Sequence, residues 1–425
     1  MRPQSLAQAL ALFAALALAV SGCPGDDDDT TASDDDTIGD DDTSGDDDTS
    51  GDDDSADDDD SADDDDSYDC WASPLETAVA ADGSGLIRGA IDEHEIWYVI
   101  DTAAQVVFAD LEISDDFTGY FTAAVQVGPF DLPEWQCKGR DLSPNQAFIG
   151  VDVGALYGQD LMMQSYTVLD PSLPLAHICP DPQGEPPPWL GEPLLSQAYE
   201  LQNQFPVTGL DLGLVDPVPV MVDTGQAMTY LTQSVFDQVD AGAPRLDGWV
   251  FSTNYGSDQG FVSRVPQLAV GGDTQTDVVV VVLPDDYHLA SLLSASGVDI
   301  QGFLGNNVLG RYALGIDGAS STYHLWPVSS PWAEVDRWVR VGIELTWRDG
   351  GYPVEYVLSP SDAADQGIAV GDLLLTIDGV DVTTVGGLSE IHAALRGTPG
   401  ETRHLTLDGA AGTYEVEVQI QDLLP

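Results

Sequence analysis

The sequence predicts a mainly β protein: two related β lobes followed by a third, β-rich α+β unit, behind an N-terminal segment that buries nothing. Three observations lead there. From about residue 70 to Pro327, short apolar and β-branched runs alternate with Pro and Gly punctuation, and few helical periods occur. Within that region one layout occurs twice, as Val99-Ile100-Asp101-Thr102-Ala103-Ala104 and as Val220-Met221-Val222-Asp223-Thr224-Gly225-Gln226, 122 residues apart. Beyond about residue 338 the pattern changes to strands around one short amphipathic helix.

The first 23 residues read as a processing segment. Arg2 precedes a largely apolar stretch of 15 residues, Leu6 to Val20, and Val20-Ser21-Gly22 leads into Cys23. At about 1.5 Å per helical residue the stretch is too short for a comfortable membrane span. Small residues directly before a cysteine resemble a bacterial lipobox, in which Cys23 becomes the lipidated N-terminus. An ordinary signal peptide cleaved nearby is the alternative. Both imply export, and the first implies a lipid-anchored protein of the bacterial cell envelope, at the outer membrane or cell surface.

Residues 26–66 are blocks of Asp separated by Ser, Thr, Gly and Ala, and hold 24 of the 74 acidic residues. Such a segment repels itself and is expected to be an extended, solvated tether. A surface stalk or export signal, weak calcium binding and a plain spacer are the readings it leaves open. Without this tract and Arg2, residues 67–425 still carry 50 acidic against 11 basic side chains, with Lys138 the one lysine. That balance excludes a nucleic-acid or anionic-lipid surface, because nothing there neutralises phosphates.

Besides Cys23 the chain has Cys70, Cys137 and Cys179. Export permits a disulfide, and Cys137–Cys179 is the pair expected, leaving Cys70 unexplained. There is no Cys-x-x-Cys, and the six histidines are scattered without ligand spacing, so neither a metal site nor a cofactor is expected. No Gly-x-Ser-x-Gly or phosphate loop occurs. The expected organisation is residues 1–23 leader, 24–69 tether, 70–185 first lobe, 186–330 second lobe and 335–425 third unit. The Pro-rich stretch 181–204 reads as an interlobe linker.

The duplication has a second landmark. Gly158 to Asp170 and Gly305 to Asp317 both run 12 positions from Gly to Asp, each after an apolar pair (Ala155-Leu156 and Phe303-Leu304). Here the second half resembles a retropepsin-type aspartic protease lobe. Asp223-Thr224-Gly225 matches its catalytic loop, and Gly302-Phe303-Leu304-Gly305-Asn306-Asn307-Val308-Leu309 matches the apolar-apolar-Gly element beneath that loop. Val265 to Gly272 and Val278 to Leu283 read as its strand pair, and Tyr255 to Gly260, with Tyr255 and Gly256 at its start, sits where its flap hairpin would lie. The first half is a divergent copy. The resemblance implies a two-lobed acid-protease-like β-barrel pseudo-dimer, a monomer whose dyad forms within one chain.

Residues from about 338 to 422 resemble a PDZ domain. The marks are Val341-Gly342-Ile343-Glu344-Leu345, Ser359 to Ala364, and Gly367 to Gly379 with its Asp378-Gly379 hairpin turn. A helix is expected over Leu388 to Arg396, ended by Gly397. The resemblance implies that a peptide end adds as a strand there, its carboxylate meeting N–H groups at Val341 to Ile343. A packing module without a ligand is the other reading.

An aspartic dyad needs two carboxylates sharing a proton, and no metal or covalent intermediate. Asp101 and Asp223 are the expected pair, with Thr102 and Thr224 bracing the loops and Ala103 and Gly225 as their third residues. The family has Gly where Ala103 stands. A methyl in a packed turn costs about 1–3 kcal/mol, and more at positive φ. The fourth residues, Ala104 and Gln226, depart from the Ser or Thr of pepsin-like members. Three readings follow: an exported, lipid-anchored aspartic endopeptidase with peptide substrates; a peptide-binding pseudoprotease; or a second-lobe homodimer.

Overall fold

The computed structural model describes residues 71, 75–114, 116–171, 175–180, 186–240, 242–253, 256–328, 338–348 and 351–425. Cys23, the Asp-rich tract, Cys70 and Tyr255 lie outside the described residues.

Alternation along two strands sets the architecture. In the strand His94–Ile100, Ile96, Tyr98 and Ile100 enter the central core, while Val99, with Trp97 beside it, joins a second cluster containing Leu86, Phe108 and Leu142. In the strand Val218–Val222, Val218, Val220 and Val222 enter the same central core and Met221 faces away. A slip of one residue in either strand would exchange its faces. An aspartate directly follows each strand, so this register delivers Asp101 and Asp223.

The first half contains β1 (Leu75–Val79), β2 (Gly85–Ile91), β3 (His94–Ile100), β4 (Phe108–Asp110), β5 (Tyr120–Val127) and β6 (Phe130–Arg140). Helix α1 (Ser143–Ile149), β7 (Ala155–Tyr157), α2 (Gln159–Met162), β8 (Ser165–Asp170) and β9 (Leu175–Pro180) follow. Strands β2-β3-β7-β4-β6-β5 close into a barrel through the β2–β5 pairing.

The second half begins with β10 (Leu195–Ala198), β11 (Glu200–Gln202), β12 (Phe205–Leu210), β13 (Val218–Val222) and β14 (Tyr230–Thr232). It continues with α3 (Gln233–Val239), β15 (Leu246–Thr253), β16 (Gly256–Val270), β17 (Asp273–Leu283) and α4 (Ala290–Ala295). It ends with β18 (Gly302–Leu304), α5 (Asn306–Leu309), β19 (Tyr312–Asp317) and β20 (Thr322–Pro327). Its sheet order is β11-β12-β13-β18-β14-β17-β16-β15.

The halves match pairing by pairing. Strand β3 is parallel to β7 as β13 is to β18, and β4 is antiparallel to β7 as β14 is to β18. Parallel β4–β6 corresponds to β14–β17, and antiparallel β5–β6 to β16–β17. Strand β15 has no first-half partner, since residues 111–119 between β4 and β5 contain no strand among the described residues. Strand β8 pairs with β19, joining β10, β20, β19, β8, β9 and β1 into one sheet across both halves. The stretch expected to be a linker therefore supplies β10, whose pairing with β20 places it at the end of that sheet.

The third unit holds β21 (Val339–Arg340), β22 (Ile343–Leu345), β23 (Tyr352–Val357), α6 (Asp362–Asp365), β24 (Leu373–Ile377) and β25 (Val380–Asp381). Helix α7 (Leu388–Ala394), β26 (Thr402–Gly409), β27 (Gly412–Gln419) and β28 (Gln421–Asp422) complete it. Asp378 and Gly379 turn between β24 and β25 at φ 52° and 78°, both in the left-handed region that an Asp-Gly pair tolerates. Leu388, Ile391 and Leu395 of the helix segment pack into a core with Ile343, Leu345, Leu405 and Leu407. The helix is shorter than expected because Leu395 already caps it.

The cysteine pairing differs from the expectation. Cys137 is a free thiol buried in the first barrel, where burial pushes its pKa up to about 12, whereas Cys179 on β9 is disulfide-bonded. One lies inside the barrel and the other on the interlobe sheet, so they do not pair with each other.

Candidate active site

Each aspartate sits one residue beyond a strand whose backbone is locked by its neighbour. Asp101 N–H donates to Tyr157 O at 3.2 Å and Asp223 N–H to Leu304 O at 3.0 Å. Each carboxylate then folds back over its own turn. Asp101 Oδ1 accepts N–H bonds from Ala103 (2.8 Å) and Ala104 (3.1 Å), and Asp223 Oδ1 accepts one from Gly225 (3.0 Å).

The two turns are tied together by the threonines. Thr102 Oγ1 donates to Val222 O at 2.6 Å and Thr224 Oγ1 to Ile100 O at 2.7 Å. In return Thr102 Oγ1 accepts from Thr224 N–H at 3.0 Å, and Thr224 Oγ1 from Thr102 N–H at 3.1 Å. Both threonines are buried at 2% exposure, so these polar groups have only each other to satisfy them. The brace brings the turns into contact: a methyl built on Gly225 would lie 2.8 Å from Asp101 Cγ. Glycine at 225 is thus favoured by the opposing carboxylate.

Sequence reasoning missed a second pair of braces. Gln159 Nε2 donates to Thr102 O at 3.0 Å, and Asn306 Nδ2 to Thr224 O at 2.9 Å. Both residues follow the glycine of the duplicated element, and that position was the available signal. The glycines admit no side chain, since a methyl would fall 2.4 Å from Val106 O at Gly158 and 2.2 Å from Met228 O at Gly305. One residue on, Asn307 Oδ1 accepts from Thr229 N–H and Oγ1, and Asn307 Nδ2 donates to Val279 O. The first half has Asp160 there, accepting from Trp135 Nε1 at 2.9 Å and Val107 N–H at 3.3 Å. Burial raises the Asp160 pKa to about 6.

The electrostatics of the two aspartates are unequal. Asp223, 3% exposed, is held well above the ordinary carboxylate range, first by burial and then by the charge of Asp101. Asp101 is partly exposed; burial raises its pKa, and the Ala103 N–H opposes the rise. Hydrogen bonds to an ionised carboxylate favour the ionised form. Two N–H bonds to Asp101 against one to Asp223, with the deeper burial of Asp223, favour ionisation of Asp101 over that of Asp223. A third carboxylate, Asp82, acts on both and raises both. It is buried, and accepts from Ser84 N–H and Oγ at 3.0 Å each.

Ala103 does not occupy the left-handed region: among the described non-glycine residues, positive φ occurs at Asp92, Asn203, Gln204, Asp277, Ser321 and Asp378. The larger cost expected for it does not arise. Gly256 opens β16 and pairs with Thr253 at the end of the β15–β16 hairpin, which projects beyond β17. There His288 N–H donates to Asp258 Oδ2 at 2.8 Å, and the His288 ring also bonds that oxygen. The structure does not bring Val341, Gly342, Ile343, Glu344 and Leu345 to the aspartates. All five are buried within the third unit, where Arg340 donates to Glu344 at 2.5 Å.

Comparison with known proteins gives two family matches. Residues 209–308 match an aspartyl protease profile and residues 354–408 a PDZ domain profile. No curated protein matches. Among solved structures, the photosystem II D1 C-terminal processing protease is 21% identical with TM-score 0.19, over 20% of this chain and 23% of its own length. Basic 7S globulin from soybean is 11% identical with TM-score 0.35, over 62% of this chain and 97% of its own. Scores this low carry no argument about activity. The profile over residues 209–308 contains Asp223, Thr224, Gly225 and Asn306, so the chain carries an aspartyl protease domain there and a C-terminal PDZ domain over residues 354–408.

Proposed function

We propose that the protein is an endopeptidase hydrolysing peptide bonds at a dyad formed within one chain by Asp101 and Asp223. The observation that carries this reading is the reciprocal threonine brace, which seats both aspartate turns against each other. Ionised Asp101 accepts a proton from a water as that water attacks the scissile carbonyl carbon. Protonated Asp223 donates to the carbonyl oxygen, giving a neutral tetrahedral diol. Asp101 then returns its proton to the departing amine nitrogen, Asp223 recovers one as the carbonyl reforms, and the dyad is restored.

The leader-like segment ending at Cys23 supports a reading in which the protease is exported and lipid-anchored at the bacterial cell envelope, the Asp-rich tract serving as a tether. A catalytically inactive peptide-binding protein is favoured by one observation, the alanine at 103.

Cleavage of a peptide library from about pH 3 to 8 tests the proposal, with Asp101→Asn and Asp223→Asn beside the wild type. Loss on the order of 10²–10⁴-fold or more in both variants is expected, with a bell-shaped wild-type profile. Activity surviving in Asp101→Asn alone would replace the intramolecular dyad by a second-lobe homodimer. Peptide binding without cleavage in the wild type would leave the pseudoprotease.

A further inference from the structure

The PDZ domain packs against both halves of the protease at once. On the first half, Trp347 N–H donates to Ala147 O of α1 at 2.7 Å, and a methyl on Gly150 would fall 2.7 Å from Leu388 Cβ of α7. Ala81 lies inside the PDZ core with Ile343, Leu345 and Leu388. These contacts close the edge where a peptide would add. Gly342 O and Thr346 N–H bond toward Leu358 and Pro353 on the β23 side. Alternation turns Trp347 N–H to the opposite edge, and there it meets Ala147. Residues 340–346 are all buried, and Arg340, the cation beside the expected carboxylate site, is paired with Glu344.

On the second half the same domain holds the projecting hairpin. Asp247 and Ser359 exchange both backbone bonds, at 2.7 and 2.9 Å. A methyl on Gly248 would fall 2.4 Å from Val357 O. Trp249 packs on Tyr356 with ring centroids 4.9 Å apart, and Arg264 Nε donates to Leu424 O at 2.9 Å. One apolar cluster runs from Trp338, Leu358 and Leu424 through Trp249 and Phe251 to Tyr230 and Phe303, with Ala103 and Ala227 of the two aspartate loops packed against it.

We propose that the PDZ domain is an intramolecular clamp on the protease: its peptide-receiving edge is taken by the first lobe, while β23 and Ser359 hold β15, so the hairpin opens to substrate only by parting from them. As regulation of cleavage this rests on the reading of Asp101 and Asp223 as the dyad; as a restraint on the hairpin it does not.

The test is a full-length Asp247→Cys/Ser359→Cys variant. An antiparallel pair exchanging both bonds has Cα atoms about 5.5 Å apart, within disulfide range. Amide hydrogen exchange over residues 246–262 is read in the oxidised and reduced forms, alongside peptide cleavage. Oxidation is expected to slow hairpin exchange at least tenfold and cleavage at least tenfold, with reductant restoring both. Equal exchange in the two forms overturns the clamp, whatever the cleavage result. Slowed exchange in a protein that never cleaves upholds the clamp and overturns only the dyad. Should the cysteines not oxidise, Tyr356→Ala decides: faster exchange in β15–β16 with β17 unchanged supports the clamp, and unchanged β15–β16 sinks it.

Discussion

The two β halves share their backbone hydrogen bonds and differ in the side chains laid on them. Strand pairings, strand-end locks on Asp101 and Asp223, threonine braces and the Gln159 and Asn306 amides recur in both. Some features do not recur: the glycine at 225 is Ala103, Asn307 is Asp160, and among the described residues the projecting β15–β16 hairpin has no first-half counterpart. On the proposed dyad, these differences are what would make a repeated scaffold act in one direction. The braces set the distance between carboxylates, and the unequal surroundings decide which carboxylate keeps the proton.

The braces offer the hardest way to break that comparison. Thr224→Val leaves Thr102 N–H and Ile100 O buried without partners, and Thr102→Val does the same to Thr224 N–H and Val222 O. At about 1–3 kcal/mol for each orphaned group, each variant is expected to lose about 2–6 kcal/mol in urea unfolding, with kcat falling alongside. The two losses should agree to within about 1 kcal/mol, because the bonds are reciprocal. A lobe that tolerates its substitution would show that the brace is not shared.

A smaller effect separates Asp160 from Asn307. The folded-state pKa of Asp160, about 6, lies above its ordinary value of 3.8, with burial as the main cause. The folded protein therefore favours the protonated acid. Its contribution is fully present below pH 3.8 and is lost as pH rises through about 6. Asp160→Asn should accordingly raise stability at pH 7.5 by on the order of 1–3 kcal/mol, discounted for partial exposure. Near pH 4 the gain should vanish or reverse, since Leu161 N–H donates to Asp160 Oδ1 at 3.0 Å and an amide NH₂ there cannot accept it. Thermal melts at the two pH values give the crossing, and parallel curves would refute it.

Much of this was legible in the sequence because the duplicated parts depend on local chemistry. Asp-Thr turns after β-branched runs, the Gly158 and Gly305 landmarks and the Asp378-Gly379 hairpin are each fixed within a few residues. The parts that depend on tertiary partners were not legible. Gln159 and Asn306 look like solvent-exposed amides until the loops they hold are placed. Leu195 to Ala198 reads as linker because its pairing partner lies more than 120 residues on, in β20. Cys137 and Cys179 invited a pairing that barrel closure forbids. The PDZ edge looked like a receptor because its motif carries no sign that Ala81, Ala147 and Gly150 cover it.

The finest probe of the comparison is the third residue of each turn. Gly225 faces the Asp101 carboxylate, and on the proposed intramolecular dyad the Ala103 methyl is expected to face Asp223, the more deeply buried of the two. Exchanging the residues should have opposite consequences. Gly225→Ala puts a methyl 2.8 Å from Asp101 Cγ, and overpacking there should cost about 1–3 kcal/mol and most of the activity. Ala103→Gly removes bulk and lets water nearer Asp223. Burial is the first cause of that group's raised pKa, so relieving it lowers the pKa and ionises the acid sooner as pH rises. The alkaline limb of the kcat/KM profile should therefore move toward acid by up to about one pH unit, with kcat at the optimum changed less than about threefold. An alkaline limb that stays put, or moves the other way, would mean that Ala103 does not shelter the proton and that the asymmetry lies in the backbone N–H bonds to Asp101 alone.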